Sequence, residues 1–140
     1  MRKFFAGLAA LQMLAVVAVF FLAAKGAFDT APNDESFRAH RMLGPAIVLI
    51  AVLLTIVAAI TRMPGRLIGM SGLVAGLAIV QFVIAAIATA LDGTGGSTTA
   101  GELVFGLHAV NGLAIVAVTG NIIRQARQLS MPAVPAPQSS

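Results

Sequence analysis

The chain contains no cysteine, no tryptophan and no tyrosine, and only five of its 140 residues are acidic. Without cysteine there are no disulfides, thiolate metal ligands or nucleophilic thiols, and the redox compartment is left undetermined. Without tryptophan or tyrosine, the strongest near-ultraviolet chromophores of a polypeptide are missing. Charge is also scarce, at 10% of residues, against roughly a quarter in soluble globular domains. What replaces it is apolar: 59% of residues are hydrophobic, and the mean hydropathy is +0.96. A water-soluble domain of this size could not bury so much apolar surface, whereas a bilayer removes the need to. The length corresponds to one small domain. The net charge of +4 and the isoelectric point near 11.3 come from basic residues that are not clustered with aromatics, which argues against nucleic acid as a partner.

Four apolar stretches, at about 4–24, 40–60, 67–91 and 104–123, are each near or above the ~20 residues that a helix needs to cross the hydrocarbon core. They predict an all-α, four-helix transmembrane bundle, up-down-up-down, in contact with lipid. Arg2 and Lys3 resemble the start of a signal peptide. The apolar run after them is longer than an h-region, and Ala23-Ala24-Lys25 makes a poor cleavage site, so a retained helix is expected. If the spans alternate, Arg2, Lys3, Arg62, Arg66, Arg124 and Arg127 share one side. The other side holds Lys25, Arg38 and Arg41 with all five acids: Asp29, Asp34, Glu35, Asp92 and Glu102. The positive-inside rule then places both ends of the chain in the cytoplasm and the bundle in the cytoplasmic membrane. Residues 128–140 are rich in proline and serine without periodicity, and a disordered tail is expected there.

Two short patterns recur in order. Gly7-Leu8-Ala9 followed by Gln12 returns as Gly76-Leu77-Ala78 followed by Gln81. His40, Gly44 and Ala46-Ile47-Val48 return as His108, Gly112 and Ala114-Ile115-Val116. The offsets differ by one residue, which a loop absorbs. The chain therefore divides into two helical hairpins, about 1–66 and 67–127. Short connections pack each helix beside the next, so the second and fourth helices, which carry His40 and His108, fall on opposite corners. Asn33 as an N-cap and Thr99-x-x-Glu102 as a capping box set both histidines about two turns inside their helices, at one level in the outer half.

Ionisable groups inside a membrane are costly and usually functional; the plainer role of each histidine is a neutral imidazole bonded to a neighbouring carbonyl or hydroxyl. A bis-histidine b-type haem needs two imidazoles on opposite sides of a flat macrocycle, which diagonal helices at one level supply. Gly44 and Gly112 lie four residues beyond each histidine on the same face, where a larger side chain would strike the ring. Small-residue helix packing is their plainer role. Arg38 and Arg41 suit haem propionates, since guanidinium pairs well with carboxylate; snorkelling to headgroups or pairing with Asp34 and Glu35 is their alternative. Asn111, one turn beyond His108, is placed to orient an imidazole or a ligand. Gln12 and Gln81, nearer the midplane, are candidates for a haem edge, a quinone oxygen or each other. Thr55 and Thr119 continue roughly the histidine faces, where backbone bonding is the plain expectation. Pro45 is expected to kink the second span. Gly69, Gly72 and Gly76 form a small-residue stripe expected at a close helix contact, and they leave a homodimer open. Zinc would need a third and usually a fourth ligand, and a proton relay or efflux role an intramembrane acid; the spans contain no acid or cysteine for either.

The segment Glu35 to Gly44, ESFRAHRMLG, resembles the E…HRxxG segment of the haem A synthase family, each half of which is a four-helix bundle with haem-ligating histidines. The resemblance covers about ten residues and the four-helix plan. It implies His40 as an axial ligand and Glu35 as the counterpart of the family's acidic residue. Here the Glu–His spacing is longer, Ala109 rather than arginine follows His108, and one bundle stands in place of two. More broadly, the chain is similar to small membrane b-type cytochromes, to haem-bearing anchors of quinone-linked dehydrogenases, and to uncharacterised four-helix membrane proteins of actinobacteria. The expected function is electron transfer or haem holding near the outer face, with no catalytic apparatus of its own and with a quinone or respiratory complex as partner. The alternatives are a cofactor-free accessory subunit and a quinone-binding protein.

Overall fold

The computed structural model describes residues 1–93 and 96–130. The described chain forms five helices: α1 (Arg2–Ala27), the single turn α2 (Asn33–Ser36), α3 (Arg38–Ile60), α4 (Gly65–Asp92) and α5 (Thr99–Ser130). The four long helices are each long and apolar enough to cross a membrane. They contain the four expected spans and overrun them at the ends, because a hydropathy count stops near the first charge whereas backbone hydrogen bonding does not.

α1 packs against α3 and α5, and α4 packs against the same two. α3 and α5 therefore stand diagonally across an up-down-up-down square. The inward positions recur at alternating steps of three and four: Phe5, Ala9, Gln12 and Val16; Ile47, Ala51, Leu54 and Ala58; Leu67, Ser71, Val74 and Ala78; Gly112, Ile115, Thr119, Ile122 and Ala126. That spacing is the seam of left-handed helix packing, and its alanines let the helices approach closely. The outward surface carries Leu14, Phe21, Leu53, Ile87, Leu103 and Leu113, an inside-out distribution that only a lipid surround makes stable. Of the glycine stripe on α4, Gly72 meets the Thr55 methyl at 3.8 Å from a notional Cβ, whereas Gly69 and Gly76 have nothing within 4 Å. The close contact expected there is formed at one glycine of the three.

The connections at the two ends differ in kind. At the Arg62 end, α3 closes with the Met63 amide on the Ala58 carbonyl (2.9 Å) and the Arg62 amide on that of Ala59 (3.1 Å). Arg62 takes the left-handed conformation, φ 50°, Met63 is buried, and Pro64 prevents continuation. This is a Schellman closure. At the opposite end, Thr98 rather than Thr99 caps α5, its hydroxyl accepting from the Gly101 amide at 3.1 Å. Glu102 accepts from the Ser97 hydroxyl at 2.9 Å instead of completing a box with Thr99. Asp92 accepts from the Thr98 amide at 2.8 Å and lies so close to Gly101 that a Cβ there would collide with its carboxylate.

Asn33 is not an N-cap. Pro32 precedes α2 without a side-chain cap, and the helix is interrupted at Phe37, so His40 lies in the first turn of α3. α3 continues through Pro45. In the α1–α2 loop, the Ala31 amide donates to Asp29 at 3.1 Å and Lys25 pairs with it at 3.6 Å. The amide first, and then the ammonium, hold its carboxyl below the usual range. At the far end, the Arg2 guanidinium donates to the Leu129 carbonyl at 3.1 Å. This contact belongs to a helix that runs through Ser130, so the expected tail does not begin at Gln128; residues 131–140 lie outside the described residues.

Candidate functional site

His40 and His108 meet across the diagonal of the bundle. Their ring centres are 6.1 Å apart and their planes 49° from parallel. The histidines are at one level although His40 is three residues into its helix and His108 ten, because α5 starts further out than α3 does.

Each imidazole is held by the backbone of the long helix that precedes its own. His40 Nδ1 lies 3.0 Å from the Val19 carbonyl of α1, and His108 Nδ1 lies 3.3 Å from the Gln81 carbonyl of α4. A carbonyl only accepts, so each bond requires a proton on Nδ1. In the neutral ring this leaves the lone pair on Nε2. Among the described residues neither Nε2 has a hydrogen-bond partner. Phe105 stacks on His108, with centres at 5.3 Å and planes 8° apart; Phe37 meets His40 edge-on at 6.3 Å.

The glycines after the histidines receive phenyl rings. From a notional Cβ on Gly44, the Phe82 Cζ is at 3.1 Å; from one on Gly112, the Phe20 Cζ is at 2.9 Å. Both rings reach outward, Phe20 being 37% and Phe82 48% exposed. A side chain at either glycine would compete with these rings, a contact between α4 and α3 and between α1 and α5 that spacing alone does not reveal.

Asn111 does not touch His108; its amide donates to the Leu77 carbonyl of α4 at 2.8 Å. Asn111 and His108 thus grip carbonyls one turn apart on α4. Arg41 bonds the backbone carbonyls of Asn33, at 3.4 Å, and Asp34, not the carboxylates of Asp34 and Glu35. Arg38 is exposed beside it. Thr55 bonds the Ala51 carbonyl at 2.9 Å, as expected. Thr119 does not: its buried hydroxyl has no partner among the described residues. Gln81 lies at the level of the histidines and not nearer the midplane, with its amide nitrogen 3.3 Å from the notional Cβ of Gly112 and its amide oxygen buried without a partner. Gln12 is fully buried with neither amide atom partnered, and it does not bond Gln81. The two glutamines hold matching places in the repeat yet lie at different depths. His40 takes the Val19 carbonyl where the repeat would place that of Gln12. The hairpins are therefore packed seven residues out of register, a slip that the seven-residue recurrence of the inward face permits.

No group of three or more His, Asp or Glu side chains is close enough to share a metal ion among the described residues. A site built on this pair has two protein ligands. A cavity of about 390 Å³ opens at the other end of the bundle, lined by Arg2, Thr61, Arg62 and Met63 among others, away from the histidines.

Four apolar helices with outward-facing leucines and phenylalanines define a multi-pass membrane protein. Residues 20–90 match the model of a family of unknown function (DUF6220), and the chain belongs to that family. The match runs from Phe20 in the last part of α1 into the last turn of α4 and includes His40, Gly44 and Gln81, with His108 beyond it. No curated protein and no solved structure matches the chain.

Proposed function

We propose that this is a bis-histidine b-type haem protein of the cytoplasmic membrane, with both chain ends in the cytoplasm and the haem nearer the outer face. The observation that carries the reading is the state of the two imidazoles. Both Nδ1 protons are committed to backbone carbonyls, the bond by which metal-ligating histidines are commonly oriented. Both Nε2 lone pairs remain free, on rings 6.1 Å apart. Two imidazole nitrogens at about 2 Å on opposite sides of one metal ion set ring centres about 6 Å apart. A porphyrin would supply the four remaining iron ligands, which no side-chain cluster among the described residues provides.

The fit also requires room for the macrocycle. Phe20 and Phe82 occupy the space over the glycines, and their partial exposure to lipid gives each a direction in which to swing. Arg38 and Arg41 are exposed at the head of α3 and would pair with propionates in this reading, Arg41 by exchanging its carbonyl partners. When bound, the iron supplies a one-electron couple; the chain holds the ligands, excludes water and sets access. A quinone or a respiratory complex is the electron partner in this reading.

A cofactor-free packing subunit is the second reading, and the seating of Phe20 and Phe82 on the glycines is the observation that favours it. The two separate in membranes from cells supplied with haem, carrying wild type, His40→Ala or His108→Ala. With shared ligation, each substitution abolishes the low-spin spectrum, leaving a five-coordinate site or no haem. Retention of the wild-type spectrum by either variant would refute the shared iron.

A further inference from the structure

We infer that Gln12 and Thr119 hold an internal water molecule near the middle of the bilayer, at a site separate from the histidine pair. Both side chains are 0% exposed, and among the described residues neither the Gln12 amide nitrogen, its oxygen nor the Thr119 hydroxyl has a partner. They lie at one level. Arg2 bonds Leu129 at the inner end, and each residue is ten positions further along its own antiparallel helix. Met13 against Gly120, and Phe20 against Gly112, keep the same register on either side. Gln12 and Thr119 both belong to inward seams, so they project toward the axis from neighbouring helices. Ten residues at ~1.5 Å each place them about 15 Å from the inner end, near the middle of a ~30 Å core.

Lipid offers such groups nothing to bond, and a buried polar group at this depth is unfavourable unless paired. The Gln12 amide has two donors and an acceptor; the Thr119 hydroxyl has one donor and two lone pairs. One water, with two donors and two acceptors, complements both, as buried waters commonly do. The seams beside them carry the small side chains of Ala9, Ala51, Ala75 and Ala78, none of which can bond either group. Inward of the site, Phe5, Leu54, Leu67 and Ile122 are fully or almost fully buried and form an apolar plug against the Arg2 end. The water is therefore trapped rather than part of a pore.

Infrared difference spectra of the reconstituted protein in ordinary and oxygen-18 water test this directly. The wild type is expected to show an isotope-sensitive O–H stretch of weakly bonded internal water. Thr119→Ser keeps that band, whereas Thr119→Val, Gln12→Leu and the double variant lose it. In thermal unfolding, each apolar variant lowers the midpoint, and the double variant falls by less than the sum because no group is then left unpaired. Absence of the band in the wild type, or its persistence in the double variant, overturns the site. Apolar singles that raise the midpoint additively would overturn it too, since they would show empty, unsatisfied groups.

Discussion

His40 and His108 have the same side chain, the same glycine four residues on and the same kind of backbone acceptor, yet the acceptors lie at non-equivalent places in the two hairpins. What is common to both is the chemical outcome, an imidazole oriented by Nδ1 with Nε2 free. The glycines test the space around that pair. Gly112→Leu would drive a side chain into the Phe20 ring, and Gly44→Leu into that of Phe82. In the haem reading both variants lose most of their bound haem while keeping both ligands. Gly120→Ala, whose Cβ meets Met13 at an ordinary 3.7 Å, should leave haem content unchanged; pigment content per protein measures all three. Asn111 acts between helices. Asn111→Leu removes an α5–α4 hydrogen bond and should cost about 0.6–1 kcal/mol, read as a lowered unfolding midpoint in detergent, without a change in topology.

At the scale of elements, the helices were legible because length and hydropathy decide them, and the diagonal placement of α3 and α5 followed from short connections. The cap of α5 falls one residue before the Thr99 that the box pattern predicts, since Thr98 and Thr99 carry the same side chain and it is Thr98 that meets Asp92. The interruption at Phe37 was hidden because Asn33, Asp34 and Glu35 compose a good helix start by themselves. The partners of the histidines were not legible at all. A seam that repeats every seven residues reads the same in several registers, so sequence gives the inward face but not which carbonyl meets which imidazole. Arg62 offers a sharper test of a connection. It is a non-glycine residue in the left-handed region at the Schellman position, and Arg62→Gly should therefore stabilise the bundle by about 1 kcal/mol. An unchanged or lowered unfolding midpoint would show that its guanidinium contributes more than its backbone costs.

For the molecule as a whole, charge and hydropathy make separate predictions. Hydropathy gives four spans, and the helices agree with them. Orientation rests on six basic residues at one end against three at the other, and it predicts that a reporter fused after Ser140 is active in the cytoplasm only. Activity on the opposite side would reverse the bundle and put the histidine pair near the inner face. The polar interior is then asymmetric, with imidazoles toward one surface, Gln12 and Thr119 at mid-depth and an apolar plug toward the other. Cofactor binding is tested most directly by the visible absorption spectrum of the purified wild-type protein from cells supplied with haem. An unmodified polypeptide has no visible chromophore, so any strong visible band belongs to a bound group, and without tryptophan or tyrosine the protein's own near-ultraviolet absorption is weak as well. A low-spin spectrum that sharpens on reduction with dithionite, at about one haem per chain, is the result expected of two axial histidines. Colourless, folded protein would contradict it and leave His40 and His108 as packing residues.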